Sequence, residues 1–213
     1  MSDEAHPDPH ETAVEFADWE GLFPERVETD RLVLRRLSRE TIDLREFYDV
    51  CAHDDGIDRV TEHLTWDPHP HPESTREFVT AMEDAWDDGE GAHYLVFPRE
   101  AETFAGGCGL TLDWDRRTGT LGMWLRKRFW GRGYSGERAA ALLALAFDHL
   151  DLELVAVSHE AGNENSRRAI RRYVDHFGGR EEAYMRNAVV ADGEPVDQRR
   201  YSISRAEYRA AVE

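Results

Sequence analysis

The sequence lacks several features that mark particular classes of protein. Its two cysteines, Cys51 and Cys108, are too few for a disulfide framework. No apolar run approaches the roughly 20 residues that a membrane-spanning helix needs. The first residues have neither the basic start nor the apolar stretch of a secretory signal. These absences favour a cytoplasmic protein over a secreted or membrane-embedded one.

Positive charge is also scarce. The chain has 44 acidic and 26 basic residues, which gives a formal net charge of -18, and Lys127 is its one lysine. A field of this sign repels nucleic acid phosphates and anionic membranes, so we expect neither as a partner. The acidic residues are spread over every segment, which is typical of halophilic adaptation because salt screens their repulsion. A protein with a basic partner is the alternative interpretation.

The chain length fits one domain. Residues 1–26 are rich in Asp, Glu, His and Pro and show no sustained hydrophobic period. This composition predicts an irregular acidic N-terminal arm, followed by a domain over residues 27–213. We expect a monomer or a homodimer.

Hydrophobic periodicity predicts strands and helices in alternation along most of the chain. Residues 31–37 alternate like a strand, and Ser38 is predicted to cap a helix that runs to Val50. The short turns between the next three strands predict an antiparallel meander. Further strands are predicted at 94–98, 103–113, 118–125, 152–158, 184–190 and 199–204, and further helices at 73–86, 135–150 and 165–177.

A segment with two glycines, residues 128–135 (RFWGRGYS), lies between a predicted strand and the strongest predicted helix. Gly131 and Gly133 permit open backbone torsions and remove side chains that would keep an anion away, and the helix dipole favours negative charge there. Pyrophosphate is the ligand that this arrangement favours, with a plain tight turn as the alternative. The third glycine of a dinucleotide-binding loop and the Gly-Lys-Ser/Thr of a Walker loop are missing.

The pattern Arg128-x-x-Gly131-x-Gly133 at a helix start resembles the acetyl-CoA signature of the GNAT superfamily. Residues 29–35 (TDRLVLR) resemble the opening of the RimJ/RimL-type ribosomal-protein N-acetyltransferases, and Asn163-x-x-Ser166 also matches. The likeness covers roughly residues 27–208. Its matching residues in the C-terminal part are Gly193, Asp197, Tyr201, Ser202, Ile203 and Glu207.

The resemblance implies an α/β (α+β) GNAT fold, in which helices flank a mixed, mostly antiparallel, twisted sheet with splayed central strands. It also implies acetyl-CoA as co-substrate and no metal. The amides of its pantetheine arm can add like a short strand to exposed backbone, and arginine side chains can bind its phosphates. The implied cofactor-binding residues are Met123, Trp124, Leu125, Arg128, Gly131, Arg132, Gly133, Tyr134, Ser135, Gly136, Asn163 and Ser166.

The implied reaction is direct attack of a neutral amine on a thioester carbonyl. The backbone N–H of Leu125 is predicted to stabilise the oxyanion. Glu160, at the end of a predicted strand, is the first candidate for proton acceptor, with Asp113 and His159 behind it. For each of these three side chains, an ordinary solvated or structural role is the alternative.

The resemblance also implies a tyrosine that protonates the leaving sulfur, and this chain lacks it at the expected position. The family's tyrosine, seven residues after Asn163, corresponds to Ile170 here. Tyr173 lies nearly one turn later and is the substitute candidate, with a core tyrosine as the alternative. Ser166 either caps the following helix or touches the thiol end, and capping is the favoured interpretation.

Four histidines, His53, His63, His69 and His71, lie in or near a proline-broken loop. Their spacing does not match a metal-binding motif, so we predict no metal site. The loop and Trp66 are predicted to border the acceptor site, with a plain surface loop as the alternative.

The resulting hypothesis is an N-acetyltransferase that moves the acetyl group of acetyl-CoA to a primary amine. A protein N-terminal α-amino group is the first expectation, because its pKa of about 8 makes it easier to deprotonate than a lysine. A small-molecule amine is the second. A non-catalytic acyl-CoA binding or sensing domain also stays open because of Ile170, as does a structural protein without a cofactor.

Overall fold

The computed structural model describes residues 12–191 and 193–213 and is built around one mixed sheet. The strands run in the order β1-β2-β3-β4-β5-β6-β7-β9-β8, and neighbours are antiparallel except for the parallel pair β6 and β7. This confirms the predicted mixed, mostly antiparallel sheet. The strands are β1 (Glu15–Ala17), β2 (Arg26–Glu28), β3 (Leu32–Arg36), β4 (Gly91–Pro98), β5 (Gly106–Asp113), β6 (Thr118–Leu125), β7 (Leu154–Glu160), β8 (Arg180–Ala191) and β9 (Glu194–Ser204).

Helices cover both faces of the sheet. The helices are α1 (Leu44–His53), α2 (Ile57–Thr61), α3 (Pro72–Asp87), α4 (Tyr134–Ala144), α5 (Glu164–His176) and α6 (Arg205–Val212). The main core lies between the sheet and helices α4 and α5, whereas α1 and α3 pack mainly around a second apolar cluster that contains Leu95 and Phe104. Within the described residues, no helix has the length and apolar character needed to cross a membrane.

The first predicted helix begins later than expected. Residues 38–42 form a turn, in which two backbone N–H groups bond to the carbonyl of Ser38. The predicted cap at Ser38 is therefore wrong. The N-cap of α1 is Asp43, whose carboxylate accepts hydrogen bonds from the N–H groups of Arg45 and Glu46.

The long predicted helix over residues 135–150 has two parts. Helix α4 ends at Ala144, and residues 145–149 continue as a π-helix closed by a 3.0 Å bond from the N–H of Leu150 to the carbonyl of Leu145. Leu145, Ala146 and Phe147 of this turn are all buried, as are most of the residues before them in α4.

The segment predicted as an irregular arm takes part in the sheet where it is described. Residues 1–11 lie outside the described residues, but β1 pairs with β2 in register from Glu15 opposite Glu28. Phe23 is buried in the main core, and the ring of Phe16 packs edge-on against that of His149, 4.7 Å away. These aromatic contacts stabilise a segment whose composition alone favours disorder. The division into an arm and a domain at residue 27 stays a prediction.

The two parallel strands separate halfway along their length. Residues 118–121 of β6 pair with residues 154–157 of β7. Beyond this point β6 continues to Leu125 beside β5, and β7 continues to Glu160 beside β9. We call the resulting gap, between residues 122–125 and 158–160, the fork. The predicted splaying of the central strands is thus confirmed.

The cap of α1 can be tested by substitution. Asp43→Ala should lower the free energy of unfolding by about 1 kcal/mol, because two N–H groups of the first turn lose their acceptor. Chemical denaturation gives this value. Asp49→Ala, at an exposed position within the same helix, is the matched control and should change stability by less than about 0.5 kcal/mol. Equal effects of the two substitutions would argue against Asp43 as the cap.

Candidate active site

Backbone groups of β6 point into the fork. The N–H of Arg126 bonds to the carbonyl of Ala105 across the β5–β6 pair. Because antiparallel pairs alternate between bonded and non-bonded positions, Met123 and Leu125 direct their N–H and C=O groups away from β5. Pairing with β7 has already ended there. The carbonyl of Leu125 accepts a 2.7 Å bond from the indole N–H of Trp130, so its N–H is the group that remains directed into the fork.

The fork has room for an inserted chain. Gly122 is the first residue after β6 stops pairing with β7. A Cβ atom built on Gly122 would meet no other atom within 4 Å, and its φ is not in the left-handed region. The face of the sheet at Gly122 is therefore open, and the unpaired edge of residues 122–125 beside it offers backbone groups to an extended ligand.

The loop between the fork and α4 forms a second open surface. Gly131 and Gly133 have φ angles of +77° and +78°, a conformation that favours glycine. A Cβ atom on Gly131 would meet nothing within 4 Å, and one on Gly133 would meet only Arg31 Nη2, 3.4 Å away. Gly133 is the N-cap of α4 and provides no side-chain acceptor for the first N–H groups of the helix. The donors at this helix start are therefore placed to bind an anion.

The charged residues of this loop are held loosely. Arg128 is exposed, and its guanidinium lies 5.1 Å from the centre of the Phe129 ring. Arg132 lies 5.3 Å from the same ring and bonds to Glu100 at 3.2 Å. Tyr134 is buried, with its hydroxyl 3.1 Å from the same carboxylate of Glu100. Both arginines can turn towards phosphate, whereas Tyr134 offers mainly its backbone.

A buried carboxylate fixes the loop to the sheet. Glu137 is 1% exposed, and its Oε1 accepts hydrogen bonds from the Thr29 hydroxyl (2.6 Å) and the N–H of Arg31 (2.8 Å). The Nε of Arg31 donates to Glu137 Oε2 at 2.6 Å, and its Nη1 donates to the carbonyl of Arg132 at 2.9 Å. No sequence pattern marks Glu137 itself, although its partners Thr29 and Arg31 lie in segment 29–35, which resembles the family's opening.

The predicted base Glu160 lies at the mouth of the fork with a histidine beside it. His63 comes from the loop between α2 and α3, and its Nδ1 is 3.1 Å from Glu160 Oε1. Both side chains are partly exposed, at 29% and 22%. The contact meets the distance of an ion pair, although His63 Nδ1 does not have hydrogen-bond geometry there. An imidazole this close to a carboxylate is a candidate partner in proton transfer.

Aromatic rings connect the same loop to β6. Trp66 meets Trp124 edge-on with ring centres 5.5 Å apart. His69 lies 5.6 Å from Trp66, and its Nδ1 is 2.7 Å from the hydroxyl of Thr75. Burial lowers the pKa of His69. The loop thus covers the face of the fork that carries Trp124, which is compatible with an acceptor-binding role.

The reserve candidates for the base lie elsewhere. Asp113 is at the β5–β6 hairpin, at the opposite end of β6 from the fork. His159 alternates to the other side of β7 from Glu160, and its buried ring stacks on Tyr201 at 5.7 Å. Burial lowers the pKa of His159. Neither side chain lies near Glu160. Asp113 is at the far end of β6, and His159 points to the opposite face of β7.

The remaining histidines have separate structural contacts. His71 is the N-cap of α3, and exposed His53 packs against Tyr48 with ring centres 5.4 Å apart. In the described part of the chain, no three His, Cys, Asp or Glu side chains are grouped so that they could hold a metal ion.

Asn163 rather than Ser166 caps α5. The side chain of Asn163 accepts a 2.9 Å hydrogen bond from the backbone N–H of Ser166. The favoured capping role for Ser166 is therefore wrong, because Ser166 lies inside the first turn. Ser166 is half-buried.

Tyr173 is not at the mouth of the fork. It is fully buried between α4 and α5, and its hydroxyl has no hydrogen-bond partner among the described residues. Burial raises the pKa of Tyr173 to about 12, although nearby Arg138 partly opposes this shift. Ile170, the residue at the family's tyrosine position, is buried as well.

His93 is a further histidine near the fork that no sequence pattern indicates. His93 on β4, Gly109 on β5 and Gly122 on β6 are aligned across three strands. The Nδ1 of His93 occupies the space beside Gly109, where an added Cβ would be only 2.6 Å away. Burial lowers the pKa of His93 and favours the neutral ring. No sequence motif surrounds it, so only strand register relates it to the fork.

The parted sheet and the bare helix start together offer a groove for an extended ligand that carries an anionic group. Residues 31–173 match the acetyltransferase (GNAT) domain family, and the chain belongs to that family. It is an acetyl-CoA-dependent N-acetyltransferase.

Individual relatives agree with this membership. The uncharacterized N-acetyltransferase p20 of Bacillus licheniformis is 22% identical over 86% of this chain and 98% of its own length. The structure of RimL, a ribosomal L7/L12 α-N-protein acetyltransferase, superposes with a TM-score of 0.71 at 19% identity and covers 89% of this chain and 99% of RimL. Spermidine N-acetyltransferase of Vibrio cholerae, solved with CoA and spermine, has a TM-score of 0.67 at 17% identity, covering 84% of this chain and 98% of that enzyme. At such identities, the two structural matches establish the fold.

The buried carboxylate of Glu137 offers a test of how the loop is held. Glu137→Gln should lower the free energy of unfolding by about 3 kcal/mol, because the guanidinium of Arg31 loses its buried counter-charge. It should also weaken CoA binding, because the carbonyl of Arg132 depends on the same arginine. Denaturation and calorimetric titration measure the two effects.

The matched control is Glu73→Gln, which removes the charge of an exposed pair with Arg76. It should change stability by less than about 1 kcal/mol and leave CoA binding unaltered. A Glu137→Gln protein with wild-type stability and wild-type CoA affinity would contradict the coupling.

Proposed function

We propose that this chain transfers the acetyl group of acetyl-CoA to a primary amine, with a protein N-terminal α-amino group as the acceptor. The observation that carries the proposal is the fork, where the pairing of β6 and β7 ends at Leu121. Beyond it lie backbone donors and the open space at Gly122.

The fork and the start of α4 provide complementary binding surfaces. The backbone N–H and C=O of Met123 would pair with the pantetheine amides. The backbone groups of Trp124 face β5 instead, which corrects its predicted role, and Leu125 has only its N–H free. The loop would hold the pyrophosphate through backbone N–H groups and through two arginines. Asn163 and Ser166, at the start of α5 just after β7, would contact the arm from the other side of the fork. The loop residues in this role are Arg128, Gly131, Arg132, Gly133, Tyr134, Ser135 and Gly136.

Catalysis would use groups on both sides of the fork. When bound, acetyl-CoA supplies an activated acyl carbonyl. The N–H of Leu125, which points into the fork, would stabilise negative charge on its oxygen. Glu160, assisted by His63 at 3.1 Å, would take a proton from the attacking amine.

The acceptor class rests on two considerations. RimL acts on a ribosomal protein's α-amino group, and its structure matches most of this chain. An α-amino group also requires only a modest base, because its pKa of about 8 leaves much of it neutral near physiological pH. A polyamine is the second candidate, favoured by the net charge of -18 and by the likeness to the spermidine enzyme.

The deciding experiment measures release of the CoA thiol with a panel of acceptors. Purified protein in high salt, as its acidic composition suggests, is mixed with acetyl-CoA and either N-terminal peptides, spermidine or lysine side-chain peptides. We expect the highest kcat/KM with α-amino peptides, and mass spectrometry should place the acetyl group on the terminal nitrogen. Preference for spermidine would favour the second candidate. CoA binding without turnover on any amine would support the sensing alternative.

The fork can be blocked without straining the backbone. Gly122→Val puts a branched side chain into the open space, so CoA affinity should fall at least about tenfold, or ~1.4 kcal/mol. Thr120→Val is the matched control, because Thr120 is exposed and lies on the same face of β6 but still within its pairing with β7. The control should bind CoA normally, and both variants should keep a near-wild-type Tm. Undiminished CoA binding by folded Gly122→Val would refute insertion at the fork.

The base can be tested separately from cofactor binding. Glu160→Gln should reduce kcat with the best amine by about 100-fold, because the amide cannot accept the proton, and should leave the Kd for CoA unchanged. His63→Asn should also lower kcat. Glu164→Gln, at an exposed residue of α5, is the control. A wild-type kcat for Glu160→Gln would exclude Glu160 as the base.

A further inference from the structure

The guanidinium of Arg138 is enclosed without a counter-charge. Arg138 is 2% exposed and lies on α4, facing the core. Its Nε and Nη1 have no hydrogen-bond partner among the described residues. Its Nη2 lies 3.4 Å from the thioether sulfur of Met123, which is a weak acceptor.

The groups around this cation are neutral. The thiol of Cys108, whose strand position pairs with Met123, has its pKa raised to about 12 by burial. The pKa of Tyr173 is also raised to about 12. An arginine remains protonated under these conditions. The positive charge of Arg138 is therefore not balanced by an anion in the described part of the chain.

Such an arrangement is costly. Removing a charged group from water costs several kcal/mol unless a partner compensates, and buried polar groups in folded proteins are almost always hydrogen-bonded. The Tyr173 hydroxyl is near enough to Arg138 for the guanidinium to interact with it and lower its pKa. By distance and angle, however, this hydroxyl too has no hydrogen-bond partner among the residues that the structure describes. These two neighbouring groups have unused hydrogen-bonding capacity that an acceptor from outside the chain would satisfy.

The location of the pair suggests which acceptor. Met123, the neighbour of Arg138, lies in the open part of β6. Side-chain alternation puts Met123 on the core side of the fork and Trp124 on the opposite side, under the loop with Trp66. Tyr173 reaches the same interior from α5. At position 170, where the resemblance places a tyrosine, this chain has an isoleucine and therefore no hydroxyl.

We propose that Arg138 binds the sulfur end of the coenzyme and stabilises its leaving thiolate, an inference that rests on the proposed function. As the amine nitrogen forms its bond to the acyl carbon, the carbon–sulfur bond breaks and sulfur keeps the electron pair. Arg138 balances that negative charge, and Glu160 or water receives the proton of the amine. The neutral hydroxyl of Tyr173 is a second donor to the sulfur.

The test compares CoA with desulfo-CoA in wild type and in Arg138→Met. The pKa of the bound thiol is followed by the ultraviolet absorbance of the thiolate as pH is raised. In wild type we expect it to lie at least about one unit below that of the same thiol in free CoA, which corresponds to a tenfold preference for thiolate. At a pH well above the pKa of the free CoA thiol, CoA should bind about tenfold more tightly than desulfo-CoA. Arg138→Met should abolish both differences, and Arg138→Lys should retain part of them.

Stability separates this role from a structural one. Without ligand, Arg138→Met should have an unchanged or higher Tm, because an uncompensated buried charge is replaced by an apolar chain of similar length. A lower Tm together with an equal loss of affinity for both ligands would overturn the inference. So would an unshifted thiol pKa in a wild type that binds both ligands, although the proposed function would survive. Failure of wild type to bind either ligand would overturn the proposed function and this inference with it.

Discussion

The buried carboxylate of Glu137 is the contact on which the geometry of the binding surfaces depends. It receives the Thr29 hydroxyl, the N–H of Arg31 and the guanidinium of the same arginine. That guanidinium also donates to the carbonyl of Arg132. One network therefore joins the start of β3, the glycine loop and the first turn of α4. The open torsions of Gly131 alone would leave the loop without a fixed shape; the network supplies the constraint.

Much of this arrangement could be predicted from sequence because its causes are local. Hydrophobic periodicity predicted most of the sheet strands and the main helices, and the torsional freedom of Gly131 and Gly133 predicted the open turn before α4. The splaying of β6 from β7 came from resemblance rather than from periodicity, since nothing in residues 118–125 alone says where pairing stops. Asp43 was missed as a cap because Ser38 is an equally good cap by residue type, and the choice depends on the turn between them.

The roles of individual reactive side chains were harder to predict, because each role depends on contacts between residues distant in sequence. Glu160 became a credible base only when the loop brought His63 to it. Asp113 has the same acidic chemistry, but the hairpin puts it at the wrong end of β6. Arg138 resembles any charged residue of an amphipathic helix, and no sequence pattern distinguishes a solvated arginine from one enclosed without an anion.

Strand alternation gives the proposed chemistry two separate sides. Trp124 and the loop with His63 lie on one face of the fork, while Met123 and Arg138 lie on the other. An amine entering beside Glu160 would therefore lose its proton on one side of the sheet while the sulfur gains its charge on the other. Because opposite charges develop on opposite faces, an anionic base and a buried cation can act in one reaction without neutralising each other. Adjacent positions on α4 then have different tasks: paired Glu137 shapes the loop, and unpaired Arg138 keeps its charge for the ligand.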